Sequence, residues 1–259
     1  MFATDLREHL IEFNLLKKLK INKIPKYNRE IKIGILDIGL GKDSLDSENY
    51  IEDHGIHIAG IIKTLNKKAQ LVSYNYKYFN MKSYLTGLES LIKNNVDIIN
   101  ISAEGLGYSK EEYVLLKEAE KKGILVIVAA GNDGVHLEKE SRYPASYGSD
   151  KYLLNNLIVV GNYIKDDLID QDSNYSNKIV HLSTYGNNIF SLCKNGLCSK
   201  TGTSQATALT TGLVSLLYQK SDYTINQIKH ILKVHSKKDK YSKYGFLDTK
   251  SLIHWIQNN

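Results

Sequence analysis

The sequence predicts an α/β fold in which a doubly wound, mostly parallel sheet is flanked by helices. Short apolar runs alternate along the chain with segments of helical periodicity. The runs are continuously apolar, as in ILVIV at 124–128, which is typical of parallel strands buried on both faces. Polar residues follow several of these runs, at the strand ends where such sheets collect their functional side chains.

The elements are expected in a regular order. Strands are predicted at 31–36, 69–76, 96–101, 124–129, 157–161 and 179–182, and helices at 54–65, 82–94, 110–121, 203–219, 224–234 and 249–256. An amphipathic helix at 5–20 precedes the first strand. We therefore expect an N-terminal helical extension at 1–30 and one large domain at 31–259.

Composition and charge exclude several classes of protein. The 259 residues carry a net charge of +6, from 34 basic and 28 acidic residues, and the lysines are spread along the chain. Without a clustered basic motif, this charge predicts a solvated surface and no nucleic-acid partner. No apolar run approaches the roughly 20 residues that span a bilayer, and the N-terminus lacks the features of a signal peptide. A cytoplasmic location is expected, or secretion if a leader has been removed.

The two cysteines, Cys193 and Cys198, could close a small disulfide loop or remain free. We expect free thiols, because thiols in the cytoplasm are usually reduced. Two cysteines alone do not make a structural zinc site. His54 and His57 share a helical face, but no Glu and no third ligand accompany them, so no metal is expected.

Three polar side chains predict nucleophilic catalysis when they are taken together. Ser204 lies in GTSQAT at 202–207, His54 begins HGIHIAG at 54–60, and Asp37 follows a strand in ILDIG at 35–39. A serine hydroxyl needs a base to take its proton, and imidazole, with a pKa near neutrality, suits that role. Alone, GTS at 202–204 is better explained as a helix cap, and Asp37 could be a turn residue before Gly39. The order Asp, His, Ser separates one class of serine hydrolase from the others.

These motifs resemble those of the subtilisin-like serine proteases, the subtilases. The resemblance covers about 31–248 and includes VDIINIS at 96–102, AAGN at 129–132, Gly212 after the Ser run, and YGFLD at 244–248. It implies a subtilisin-like peptidase domain. It also implies that Ser204 attacks the substrate, His54 transfers the proton and Asp37 orients His54. Asn132 would stabilise the oxyanion, Thr203 would support Asn132, and His57 would be structural.

The resemblance also implies a polypeptide substrate bound in a groove. Ser102, Ala103, Glu104 and Gly105 would form one wall, to which the substrate backbone adds as a strand, and Asp133 and Arg142 would stand opposite. Arg142 and Asp133 would either pair, leaving a pocket for a small or polar side chain, or let Arg142 select an acidic one. The Tyr143–Pro144 bond is expected to be cis.

The sequence departs from the family pattern at several positions. Ala208 replaces a usual Pro, and Glu104 and Arg142 replace small residues. Ile38 replaces a usual Thr or Ser, which removes a hydroxyl donor to Asp37 unless a backbone N–H substitutes. The segment 64–69 leaves no room for the calcium loop found after the His helix in many subtilases. No cofactor is therefore expected, although a weak calcium site elsewhere stays open.

Four functions remain as alternatives. The motifs favour a serine endopeptidase that acts through an acyl-enzyme. An inactive pseudoprotease that binds peptides is the alternative that the departures at Ile38, Glu104 and Arg142 keep open. An α/β-hydrolase esterase would need Gly-x-Ser-x-Gly and the order Ser, acid, His, neither of which is present. A basic nucleic-acid module lacks a motif.

Overall fold

The fold is known from a computed structural model, which describes residues 14–19, 21, 23, 29–40, 53–76, 80–164 and 168–259. Residues 14–18 are helical, and Leu15, Leu19 and Ile21 are buried against the main core. The rest of the predicted helix at 5–20 lies outside the described residues. The assignment of 1–30 as an extension therefore stays a prediction.

An eight-stranded sheet forms the centre of the molecule. Its strands are β1 (Lys32–Asp37), β2 (Gln70–Asn75), β3 (Ile98–Ile101), β4 (Leu125–Ala129), β5 (Leu157–Tyr163), β6 (Leu182–Tyr185), β9 (Ser236–Lys237) and β10 (Phe246–Leu247). Their order is β2-β1-β3-β4-β5-β6-β10-β9, and every pairing is parallel except that of β10 with β9. A separate antiparallel hairpin pairs β7 (Ile189–Cys193) with β8 (Gly196–Lys200).

Helices cover both faces of the sheet. They are α1 (His54–Leu65), α2 (Met81–Lys93), α3 (Lys110–Lys121), α4 (Thr203–Lys220), α5 (Ile225–Val234) and α6 (Thr249–Asn258). One core lies between the sheet and α1, α4, α5 and α6, and a second core lies between the sheet and α2 and α3. The doubly wound, subtilisin-like arrangement predicted from the sequence is confirmed. Among the residues that the structure describes, no helix is both long enough and apolar enough to cross a membrane.

The α4 helix is the most enclosed element. Every residue from Thr203 to Gln219 is buried, and the helix packs on α1 as well as on strands of the sheet. Small residues allow this close packing: a Cβ at Gly212 would lie 2.7 Å from the Leu65 side chain. The α4 helix, which carries Ser204 in its first turn, is thereby fixed against the helix that begins at His54.

The sequence prediction is wrong at two places in the fold. The predicted strand at 179–182 becomes a turn in which the Val180 N–H donates to Ser176, and the strand runs at Leu182–Tyr185. The apolar Ile179 and Val180 are buried by packing in the second core, not by strand pairing. The β7–β8 hairpin, β9 and β10 were not predicted.

The expectation of free thiols is also wrong for this structure, in which Cys193 and Cys198 form a disulfide. The hairpin brings them together, because Cys193 is paired with Gly196 and Cys198 with Ser191 in its ladder. The two Cα atoms are 5.8 Å apart, within the range that a disulfide bridges. The spacing of the cysteines in the sequence did not reveal this hairpin.

Candidate active site

Asp37 and His54 are brought together by the end of β1 and the start of α1. Asp37 is the last residue of β1 and is 2% exposed. The Gly55 N–H donates to the Ile38 carbonyl (2.8 Å), which holds the first turn of α1 against the end of the strand. His54 Nδ1 lies 2.7 Å from Asp37 Oδ1, so the carboxylate fixes the ring through one nitrogen and leaves Nε2 for another partner.

The protonation of His54 reflects two opposed effects. Burial disfavours the imidazolium, but the charge of Asp37 and the hydrogen bond to it favour the imidazolium more, so the pKa of His54 is raised above its usual value. The side chain of His54 is 22% exposed and borders a cleft. A basic imidazole at the edge of a cleft is suited to accept a proton.

Ile38 has no hydroxyl that could donate a hydrogen bond to the Asp37 carboxylate. Its backbone N–H donates to Oδ1 instead (2.7 Å), as considered above from the sequence. The second oxygen, Oδ2, is buried and has no hydrogen-bond partner among the residues described. Asp37 is therefore held on one oxygen only.

Ser204 faces the same cleft from the start of α4. Gly202 caps the helix with φ of 149°, a conformation that favours glycine. The Ser204 hydroxyl donates to the Ser102 carbonyl (3.3 Å), and the Ser102 hydroxyl donates to the Ser204 carbonyl (3.3 Å). Within the described part of the chain, no hydrogen bond joins Ser204 to His54. Such bonds are often long before a substrate binds.

Asn132 is joined to α4 at Thr203, the residue before Ser204. Its Oδ1 accepts hydrogen bonds from the Thr203 backbone N–H (2.9 Å) and the Thr203 hydroxyl (3.1 Å). The amide oxygen is thus turned toward α4, which leaves the NH₂ group for the cleft that Asn132 lines. Asn132 and the backbone N–H groups at the start of α4 are arranged so that they could stabilise a negative charge.

The cleft has a volume of about 630 Å³, and His54, Ser102, Asn132 and Ser204 all line it. Asp37, Ser102 and Asn132 lie at or just after the ends of β1, β3 and β4, because parallel strands place their carboxyl ends at one edge. Residues from five separate regions of the chain therefore meet at one edge of the sheet.

A family model for the subtilases matches residues 37–248, which is most of the chain. The chain belongs to the subtilase family. It is 27% identical over 259 residues to the major intracellular serine protease of Bacillus subtilis, and the match covers 81% of this chain and 77% of that protein. It is 30% identical over 237 residues to subtilisin-like protease 3 of Plasmodium falciparum, covering 77% of this chain but only 30% of that much longer protein.

Solved structures give the same fold. A structure of the subtilase cytotoxin SubAB superposes with a TM-score of 0.73 at 21% identity, covering 89% of this chain and 90% of that one. The crystal structure of a lanthipeptide protease superposes with a TM-score of 0.67 at 18% identity, covering 87% of each chain. At these identities the likeness is one of fold.

In this subtilase, the two segments predicted to form the groove walls are joined where Gly105 meets Tyr143. Gly105 and Tyr143 form an antiparallel bridge with two 2.8 Å hydrogen bonds, and the Tyr143–Pro144 bond is cis, as expected. A second cavity of about 260 Å³ adjoins the cleft and shares Tyr76, Ala103 and Glu104 with it. The two cavities give an extended molecule room on the Ala103 side of Ser204.

Arg142 is paired with Asp133, the first of the two arrangements considered from the sequence. Arg142 Nε donates to Asp133 Oδ2, and a guanidinium N–H group lies 3.5 Å from Glu140. The Arg142 side chain is 13% exposed. Its charge is therefore balanced by neighbouring carboxylates.

Sequence reasoning did not find Asn174, which organises the loop that carries Asn132. The Asn174 side chain is fully buried. Its NH₂ group donates to the Ala130 carbonyl and to the Glu104 carboxylate. Its Oδ1 accepts hydrogen bonds from the backbone N–H groups of Asp133 and Val135. Glu104 in turn accepts from the Asn132 N–H (3.0 Å). Asn174 lies in a loop before Ile179 and carries no motif, so the sequence offered no signal.

One group of possible metal ligands lies in the described chain: His57, Cys193 and Cys198. His57 Nε2 faces the Ile189 carbonyl (3.1 Å), so it does not act with His54 as a histidine pair. Between α1 and β2 the chain needs only the four residues from Asn66 to Ala69. The expectation that the family's calcium loop is absent there stays a prediction.

Proposed function

We propose that this subtilase is an active serine endopeptidase that uses Asp37, His54, Ser204 and Asn132. The observation that carries the proposal is the 2.7 Å contact between Asp37 and His54 at the edge of the cleft that Ser204 and Asn132 also line.

The proposed reaction begins when the Ser204 hydroxyl turns from the Ser102 carbonyl toward His54 Nε2. His54 takes the hydroxyl proton as the oxygen attacks the peptide carbonyl, and Asp37 stabilises the imidazolium. Asn132 Nδ2 and the Ser204 backbone N–H donate to the oxyanion. His54 then returns the proton to the leaving amine, which gives an acyl-enzyme that water hydrolyses by the same steps.

The substrate is proposed to be an extended polypeptide whose backbone pairs with the segment 102–104, because the N–H and C=O groups of Gly105 already pair with Tyr143. Because Arg142 is balanced by Asp133 and Glu140, we propose that the pocket for the residue before the scissile bond accepts small or polar side chains. The relative named as an intracellular protease supports a cytoplasmic location. The absence of a required calcium ion or nucleic-acid partner remains a prediction.

A fluorophosphonate probe tests the proposal, because it labels only a serine activated by a base. The wild-type chain should be labelled at Ser204, and Ser204→Ala should not be. Ser221→Ala, which removes an exposed hydroxyl just after α4, is the matched control and should keep the label on Ser204. Mass spectrometry of a digested peptide library should then report the cleavage preference. A folded wild-type protein that is neither labelled nor cleaves peptides would be the pseudoprotease.

A further inference from the structure

Three potential metal ligands meet where the β7–β8 hairpin packs on α1. A ring nitrogen of His57 and the sulfurs of Cys193 and Cys198 all lie within 4.8 Å of one another. His57 is fully buried, whereas both cysteines are partly exposed. Imidazole and thiolate are the ligands that zinc and similar soft divalent ions prefer.

His57 has one nitrogen available for this purpose. Its Nε2 donates to the Ile189 carbonyl (3.1 Å), which fixes the tautomer and leaves a lone pair on Nδ1. Nδ1 is buried and has no hydrogen-bond partner in the described chain. A histidine that binds a metal typically donates its other N–H to a carbonyl or a carboxylate in this way.

The hairpin is held on α1 independently of its sulfur atoms. The Ser191 hydroxyl donates to the His57 carbonyl (2.7 Å). The hairpin approaches α1 so closely that a Cβ at Gly60 would lie 2.2 Å from Ser191 Oγ. Lys200, at the end of β8, forms a 2.7 Å ion pair with Asp53, which precedes α1. These contacts should keep both cysteines beside His57 when the disulfide is opened.

We propose that the reduced protein binds one thiophilic divalent cation, such as Zn²⁺, through His57 Nδ1, Cys193 Sγ and Cys198 Sγ. A dithiol reductant would supply two electrons and two protons, opening the disulfide to two thiols and becoming a disulfide itself. Binding of the cation then releases both thiol protons, so two thiolates balance its charge. The partial exposure of the cysteines leaves the fourth position of a tetrahedral site for water.

Cobalt titration tests this proposal in the full chain carrying Ser204→Ala, which prevents self-cleavage. The protein is reduced with a phosphine, which leaves no competing thiol, and Co²⁺ is the probe. We expect one equivalent of Co²⁺ to bind with thiolate-to-cobalt charge-transfer absorption, and Zn²⁺ to displace it. The oxidised protein should show no such absorption. The thermal midpoint of the reduced protein should rise with Zn²⁺ concentration.

Two variants assign the ligands. Cys193→Ser combined with Cys198→Ser should abolish the absorption. His57→Asn should weaken Co²⁺ binding at least as much as the roughly 10–100-fold typical for loss of an outer-shell partner. His254→Asn, which removes an exposed histidine far along the chain, is the control and should bind normally. If His57→Asn does not fold, the cysteine variant still decides. Reduced protein without charge-transfer absorption, or equal binding by the cysteine variant, would overturn the proposal.

Discussion

Asp37 holds His54 through a single carboxylate oxygen. Both the His54 ring and the Ile38 backbone N–H contact Oδ1, each at 2.7 Å, while the buried Oδ2 has no partner among the described residues. A buried carboxylate oxygen without a hydrogen-bond donor costs free energy. Ile38 lines the same cleft as His54, and it stands at the position where subtilases usually carry Thr or Ser.

A hydroxyl at position 38 should therefore increase activity. Ile38→Thr offers a donor to Oδ2, and Ile38→Val is the matched control, because it has the same branched shape without the hydroxyl. We expect Ile38→Thr to exceed Ile38→Val by about 1 kcal/mol in transition-state stabilisation, or roughly fivefold in kcat/KM. Steady-state kinetics on a cleaved peptide would measure this. Equal rates for the two variants would mean that Oδ2 does not limit the orientation of Asp37.

The pH dependence of kcat/KM should show the raised pKa of His54. His54 acts as a base only when neutral, so activity should fall as the pH drops through its pKa, above the usual value of about 6.5. Asp37→Asn removes the main interaction that raises the pKa. In Asp37→Asn, the fall in kcat/KM at acidic pH should therefore shift to lower pH. The maximal kcat/KM should also decrease, by as much as about 10⁴-fold in comparable triads. Asp53→Asn is the control, and it should shift this fall less. If the acidic fall in kcat/KM occurs at the same pH in Asp37→Asn as in the wild-type protein, a group other than His54 is responsible for it.

Much of this site could be predicted because each main residue belongs to a short local motif. Asp37 ends a strand, while His54 and Ser204 begin helices, and the parallel sheet then brings these ends to one edge. The β7–β8 hairpin and Asn174 could not be predicted, because neither has a local pattern. Their positions depend on contacts with α1 and with the Asn132 loop, far away in sequence.

Glu104 should favour positively charged residues on the side of the substrate that precedes the scissile bond. It lies between the two cavities, on the wall where the substrate backbone is proposed to pair. At about 4 Å in water, two unit charges interact by about 1 kcal/mol. Paired peptides with Lys or Gln at the second to fourth positions before the bond should differ about fivefold in kcat/KM. Glu104→Gln should remove the difference, whereas Glu89→Gln, on α2, should keep it. A preference unchanged in Glu104→Gln would assign it elsewhere.

Removing the carboxylate that pairs with Arg142 should change which side chain the enzyme prefers immediately before the scissile bond. Asp133 balances the guanidinium in the wild-type chain, so Asp133→Asn should leave Arg142 with Glu140, 3.5 Å away, and the weaker influence of Glu104. We expect the ratio of cleavage after Glu to cleavage after Gln to rise about tenfold, which corresponds to about 1.4 kcal/mol. Asp133→Asn combined with Arg142→Met should reverse the gain. A peptide library would measure both, and a strong wild-type preference for large aromatic residues would contradict the proposed pocket.

Glu112 should make the stability of the fold depend on pH. Its side chain is buried and accepts a hydrogen bond from the Tyr84 hydroxyl (2.6 Å). Burial raises the pKa of Glu112 to about 7, against the opposing effect of that hydroxyl. Between about pH 4.5 and pH 7 the folded protein binds more protons than the unfolded chain, so the free energy of unfolding should fall as the pH rises, by about 3 kcal/mol at most.

Glu112→Gln isolates this effect, because the amide keeps an oxygen for Tyr84 and cannot ionise. Urea unfolding at pH 5 and pH 8, in the Ser204→Ala background, should give Glu112→Gln a smaller loss of stability with rising pH than its parent. Glu111→Gln, the exposed neighbour on the same helix, should lose as much as the parent. If Glu112→Gln and its parent lose equal stability, Glu112 is ionised at both pH values and its burial is tolerated as a charge.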